Sequence, residues 1–118
     1  MTVLIVDDHA VFRADARALL EAAGYTVVGE AEDGARGVVA ANALNPDVVL
    51  LDVQLPDRDG FAVARQLAAQ PRAPRVVLIS SRRLEDYGSR LRETVAAGFI
   101  YKPELSRARL EELVGPPS

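Results

Sequence analysis

Short apolar runs recur along the chain at near-regular intervals: VLIV (3–6), TVVG (26–29), VVLL (48–51), VVLI (76–79) and FIY (99–101). Each is rich in β-branched or aromatic residues and is bounded by Asp, Gly, Pro or Ser, which predicts five buried strands. The segments between them carry helical spacing instead. Phe12, Ala16, Leu19, Leu20 and Ala23 fall on one face of a first helix, with Gly24 standing where it ends. A second, alanine-rich helix is expected from about Gly34 to Leu44, stopping before NPD. A third begins after Gly60 with Phe61, Val63, Ala64, Leu67 and Ala68, and ends at QPRAP. The fourth is expected from about Leu84 to Ala97, carrying Leu84, Leu91 and Val95. The last starts near Ser106 as N-cap and turns Leu110, Leu113 and Val114 inward. Repeated strand–helix alternation implies right-handed crossovers and a parallel sheet with helices on both faces. In such sheets ligands bind beyond the carboxyl ends of the strands, where the strand order reverses.

Length and composition narrow the class. A chain of 118 residues suits one compact domain, and 49% apolar residues are enough for a real core. No repeat, linker or low-complexity segment interrupts it, and the GPPS tail reads as the end of the ordered domain. The absence of cysteine excludes disulfides and thiolate metal sites and fits a reducing cytoplasm. No basic leader precedes the first strand and no apolar run is long enough for a bilayer, so a cytoplasmic protein without membrane contact is expected. The net charge of −3 is uneven: residues 1–60 hold four arginines against eleven acidic residues, and residues 61–118 hold ten basic against six acidic. An acidic whole argues against direct nucleic-acid contact by phosphate neutralisation. The basic second half leaves room for an acidic partner, or is simply a solvated arginine-rich surface.

The strand ends carry the chemistry. The first ends at Asp7 and Asp8, the third at Asp52, the fourth at Ser80, and Lys102 follows the fifth. A parallel sheet points all of these to one edge. Two carboxylates about 4 Å apart repel by roughly 4 kcal/mol at an effective dielectric near 20, so three at one rim call for compensation. A hard divalent cation supplies it, and Mg2+, held by a few carboxylates plus waters, suits the set best. Taken singly, each residue has a plainer role: Asp7 or Asp8 as a helix N-cap, Asp52 as a loop cap, Ser80 as a strand-end hydroxyl, Lys102 as a surface charge. Their joint placement at corresponding strand positions favours a site.

With VLIVDDH, PDVVLLDVQLPDRDGF, PRVVLISS and AAGFIYKP in this order, the chain resembles the receiver domains of bacterial response regulators over essentially its whole length. DDH and DVQLPDRDG are most similar to receivers joined to helix-turn-helix DNA-binding domains. The resemblance implies a flavodoxin-like, doubly wound α/β fold, a five-stranded parallel sheet of order 2-1-3-4-5, with residues 1–118 as a single receiver domain and no effector domain. It implies that Asp52 takes a phosphoryl group from a phosphohistidine on a sensor histidine kinase or phosphotransfer protein. Asp8 would ligate Mg2+ directly, Asp7 through water, and Asp52 and the Gln54 carbonyl would complete the protein ligands. Lys102 would neutralise phosphoryl charge and Ser80 would hydrogen-bond a phosphoryl oxygen, with Pro56 and Gly60 shaping the loop between. Phe99 stands at the family's switch aromatic, where it lacks the hydroxyl of the tyrosine often found there. Arg82 and Gln54 stand where the family tunes dephosphorylation. The output surface would comprise the fourth helix, fifth strand and fifth helix, with Arg82, Arg83, Arg90, Arg92, Arg107 and Arg109 on or near it.

The resemblance implies no enzyme in the ordinary sense, only self-catalysed phosphoryl acceptance and autodephosphorylation. Two other classes compete. A pseudo-receiver would be a constitutive interaction module, but such a chain is expected to have lost part of the acidic pair, acceptor, hydroxyl and lysine. A flavodoxin-like carrier or aspartate-dependent phosphatase is disfavoured. DDHAVFR lacks a phosphate-cradling loop, and VQL after Asp52 offers no general acid. His9 reads as a surface residue beside the site. Apolar faces on the first and last helices would allow a homodimer, although core packing is the default for them.

Overall fold

The structure of the protein, a computed structural model, describes residues 1–91 and 96–117, without the side chains of residues 84 and 89–91. Five strands, β1 (Thr2–Val6), β2 (Thr26–Ala31), β3 (Val48–Asp52), β4 (Arg75–Ser80) and β5 (Gly98–Tyr101), form one sheet in the order β2-β1-β3-β4-β5. Every pairing is parallel. Among the described residues, four α-helices connect or follow them: α1 (Ala10–Ala22), α2 (Gly34–Leu44), α3 (Gly60–Ala68) and α4 (Arg107–Val114). This is the doubly wound order expected from the sequence.

Strand alternation sorts the core into two layers. Leu4 and Val6 of β1, Val49 and Leu51 of β3, and Val76 and Leu78 of β4 pack with α2 and α3 through Val38, Ala41, Phe61, Ala64 and Leu67. The intervening residues Val3, Ile5, Val48, Leu50, Val77 and Ile79 face the other way, onto Ala16 and Leu20 of α1 and Leu110 and Val114 of α4. Each leucine or isoleucine withdrawn from water contributes roughly 1.5–3 kcal/mol. A slip of one residue would exchange the two layers, so this burial also holds the register that aligns the strand ends. The apolar faces of α1 and α4 are thus occupied by the core.

The fourth helix differs from expectation. In place of an α-helix over Leu84–Ala97, residues Leu84–Leu91 form a 3-10 segment broken at Gly88, whose φ of 55° and ψ of −133° leave the helical region. A glycine flanked by Tyr87 and Ser89 gives little helix propensity to resist that break. Val95 and Arg92 of the expected helix lie outside the described residues, as do the side chains of Leu84, Leu91 and Arg90. A second 3-10 turn, Lys102–Glu104, links β5 to α4, whose N-cap Ser106 accepts from the Arg109 N–H at 3.2 Å. The tail is docked against the opposite end of the sheet. The Met1 ammonium donates to the Pro117 carbonyl at 2.7 Å and the Tyr25 hydroxyl donates to that of Gly115 at 2.9 Å. No helix among the described residues is long and apolar enough to cross a membrane.

Candidate functional site

The chain leaves β1 towards β2 and returns to β3 on the other side of β1, which opens a crevice between the carboxyl ends of β1 and β3. Asp7 stands one residue past β1 and Asp52 ends β3, so the crevice brings both carboxylates together. Ser80 ends β4 and Lys102 follows β5 at the same edge. β1, β3 and β4, which position the acids and the serine, are apolar because both their faces are covered. The polar residues begin where that cover stops.

Two of the carboxylates are deeply buried: the Asp7 side chain is 0% exposed and that of Asp52 4%. Lys102 Nζ lies 2.6 Å from Asp7 Oδ2 and 3.3 Å from Asp52 Oδ2, so one ammonium serves both. The ammonium itself sits over the Phe12 ring, with Nζ 4.5 Å from the centroid. The remaining oxygens accept backbone N–H groups, Asp7 Oδ1 from His9 at 2.8 Å and Asp52 Oδ1 from Gln54 at 3.0 Å. The charge is still undercompensated. Burial pushes the Asp52 carboxyl above its ordinary pKa and the Asp7 charge adds to this, against the Gln54 N–H and the Lys102 ammonium.

Asp8 and His9 form the outer lip. The Asp8 side chain is 36% exposed and that of His9 67%, and His9 Nδ1 lies 3.2 Å from Asp7 Oδ1 and 3.1 Å from Asp8 Oδ1. Among the described residues, ligand atoms of Asp7, Asp8, His9 and Asp52 all fall within 4.8 Å of one another. Hard carboxylate oxygens, two of them buried and sharing one cation, fit a small divalent cation. The open side at Asp8 suits Mg2+, which keeps several waters. His9 is therefore a surface residue whose ring touches both neighbouring acids. Gln54 has an exposed side chain and meets Asp52 through its N–H, its carbonyl being the atom expected to serve a metal.

The loop after Asp52 is clamped by its own acids. Asp57 accepts the N–H groups of Gly34 and Ala35 at 2.8 and 2.9 Å, which cap α2 and hold its carboxyl below the usual range. Asp59 caps α3, accepting from the Phe61 N–H at 2.8 Å. Gly60 lies against the backbone of the acceptor strand: an added Cβ would come 2.4 Å from the Asp52 carbonyl oxygen and 2.6 Å from Val53 Cα. Close approach, more than turn geometry, is what requires glycine here. Gly60→Ala is expected to destabilise the chain by about 1–3 kcal/mol, readable in urea unfolding, and to slow chemistry at Asp52.

Ser80 is fully buried. Its Oγ accepts the Arg82 N–H at 2.9 Å and is hydrogen-bonded to the Tyr87 hydroxyl. Phe99, partly buried, meets the Tyr87 ring edge-on at 5.8 Å, and Phe61 meets its other side at 5.6 Å. Sequence reasoning missed Tyr87. Phe99 without a hydroxyl was the available signal, since a buried serine then needs a partner from elsewhere. It also missed Arg13, whose Nη1 donates to the Asp7 carbonyl at 2.6 Å while its Nε pairs with Glu30 at 3.0 Å. On the expected output surface, Arg83 stacks over Tyr101 at 4.6 Å, and Arg109 pairs with Glu112 and donates to the Phe99 carbonyl at 3.3 Å.

Known proteins place this arrangement. The chain matches the response regulator receiver domain family over residues 3–114. It is 40% identical over 101 residues to the transcriptional regulatory protein PdtaR of Mycobacterium tuberculosis, covering 86% of this chain and 49% of that protein. It is 35% identical over 102 residues to the virulence regulator BvgA of Bordetella pertussis, covering 86% and 49%. The chain therefore spans about half the length of these relatives. Among solved structures, it superposes on the NarL signal receiver domain of M. tuberculosis with a TM-score of 0.81 and 36% identity, covering 94% of this chain and 90% of that one. The CheX–CheY complex of Borrelia burgdorferi, solved with BeF3 and magnesium, gives a TM-score of 0.81 at 28% identity, covering 97% and 86%. With the family matched across both the acidic crevice and the lysine strand, the chain belongs to the response regulator receiver domains.

Proposed function

We propose that Asp52 accepts a phosphoryl group from the phosphohistidine of a sensor kinase or phosphotransfer protein and that the resulting change controls an effector. The observation that carries this is Asp52 itself, a buried carboxylate at the end of β3 that shares the Lys102 ammonium with Asp7. One carboxylate oxygen of Asp52 forms the new P–O bond, the P–N bond to the donor imidazole breaks, and the imidazole leaves with a proton. The product is an acyl phosphate. The Gln54 N–H fixes the rotation of the attacking carboxylate. Lys102, anchored over Phe12, turns from Asp7 towards the transferred oxygens and offsets their charge. Ser80 donates its hydroxyl to one of them. Asp7, Asp8, Asp52 and the Gln54 carbonyl would hold Mg2+, which when bound would supply positive charge for the phosphoryl oxygens.

The chain thus acts in two-component signalling as a phosphoprotein of the cytoplasm, catalysing only its own phosphorylation and dephosphorylation. An effector within a longer protein, as in the transcription regulators it matches, fits a receiver that makes no nucleic-acid contact itself. A homodimer is compatible with this output. Intact mass after incubation with a small-molecule phosphodonor tests the reading. One added phosphoryl group with Mg2+, and none with EDTA, is expected. No adduct under either condition would contradict it and favour a constitutive interaction module.

A further inference from the structure

Ser80 and Tyr87 present an unresolved exchange. A serine hydroxyl has one proton to donate and two lone pairs. One lone pair of Ser80 is occupied by the Arg82 N–H at 2.9 Å, and a second hydrogen bond joins its hydroxyl to that of Tyr87. A phosphoryl oxygen on Asp52 only accepts, so it must take the Ser80 proton, and with Ser80 donating to Tyr87 in the resting protein the two oxygens compete for it. Phe99 cannot enter that competition, having no hydroxyl. Tyr87 can transmit its outcome, because its ring is wedged between Phe61 of α3 and Phe99 of β5. Next to it the backbone already breaks at Gly88. A cleft of about 390 Å3 bordered by Val53, Leu55, Arg82 and Tyr87 gives the segment space to move.

We propose that Tyr87 is the positioning residue for the Ser80 hydroxyl. Its own hydroxyl is the group exchanged for the phosphoryl oxygen, and the 3-10 segment is the element released by that exchange. The inference rests on Asp52 being the acceptor. In the resting protein Tyr87 holds Ser80 back, so removing the tyrosine hydroxyl favours the phosphorylated arrangement. A single net hydrogen bond corresponds to a change of roughly 3- to 10-fold.

The test uses the whole chain labelled with 3-fluorotyrosine, which gives fluorine signals from Tyr25, Tyr87 and Tyr101. Tyr87→Phe keeps the stacked ring, removes only the hydroxyl and assigns the Tyr87 signal. With Mg2+ present, Tyr87→Phe is expected to tighten binding of beryllofluoride, a phosphoryl mimic, by about 3- to 10-fold. In a Ser80→Ala background the same substitution is expected to change nothing. Ser80→Ala alone is expected to shift the Tyr87 fluorine signal in the resting protein. Affinity unchanged or weakened in Tyr87→Phe, or an equal gain with Ser80 absent, would overturn the proposal. An unmoved fluorine signal would overturn the resting hydrogen bond separately. Failure of the unsubstituted chain to bind beryllofluoride would overturn the acceptor reading and the exchange with it.

Discussion

Asp52→Asn is expected to abolish phosphoryl uptake and, in EDTA at neutral pH, to make the chain more stable. Both outcomes have one cause. The sheet buries Asp52 beside Asp7 with a single shared ammonium, and burial raises its pKa. A carboxyl whose folded pKa is raised contributes stability that is full below its unfolded pKa, about 3.9. That contribution is lost as pH rises through the folded value. At neutral pH the aspartate therefore costs the fold stability. Asparagine removes the charge and keeps an oxygen for the Gln54 N–H. Thermal unfolding of both proteins in EDTA across pH 4 to 8 checks this. The stability advantage of the variant should widen with rising pH over the titration of Asp52. An advantage that is absent, or that shrinks with pH, would show that the crevice compensates its charge fully without a cation.

Lys102→Met is expected to slow adduct formation by about 10²–10³-fold, the range seen when one preorganised group facing developing charge is removed. Methionine keeps an apolar side chain of similar length and deletes the ammonium, together with its contact over Phe12. Two consequences separate the charge effect from damage to the fold. Asp7, fully buried, loses its 2.6 Å partner, so stability in EDTA should fall. Mg2+ binding should tighten, since fewer positive charges share the carboxylates. Rates from a small-molecule phosphodonor, followed by intact mass, measure the first effect, and calorimetric titration the last. A rate within a factor of three of the parent chain would remove Lys102 from the chemistry.

Much of the fold was legible because β1, β3 and β4 are buried on both faces. VLIV, VVLL and VVLI cannot be partially solvated helices of this length, and their ends align the polar residues without knowledge of side-chain contacts. The acidic pair, Asp52, Ser80 and Lys102 follow from that alignment, and the structure brings them to one edge. What was not legible depends on contacts across elements. The spacing of Leu84, Leu91 and Val95 is helical, yet Gly88 breaks the backbone over the described residues of that segment. Tyr87 carries no pattern signal at all. Its role comes from lying between Phe61, Phe99 and Ser80, residues of three other elements. Arg13 and Asp57 are similar: each reads as a surface charge, and each instead holds backbone of the site or its loop.

The most direct test of the account is where the phosphoryl group sits. After reaction with phosphodonor and Mg2+, borohydride reduction converts an acyl phosphate of aspartate to homoserine, and peptide mass mapping locates it. Homoserine at position 52 alone, and none in the EDTA sample, is the result expected. Homoserine at Asp7 or Asp8, or a reduction-resistant phosphate on Ser80, would contradict the assignment of Asp52 as acceptor.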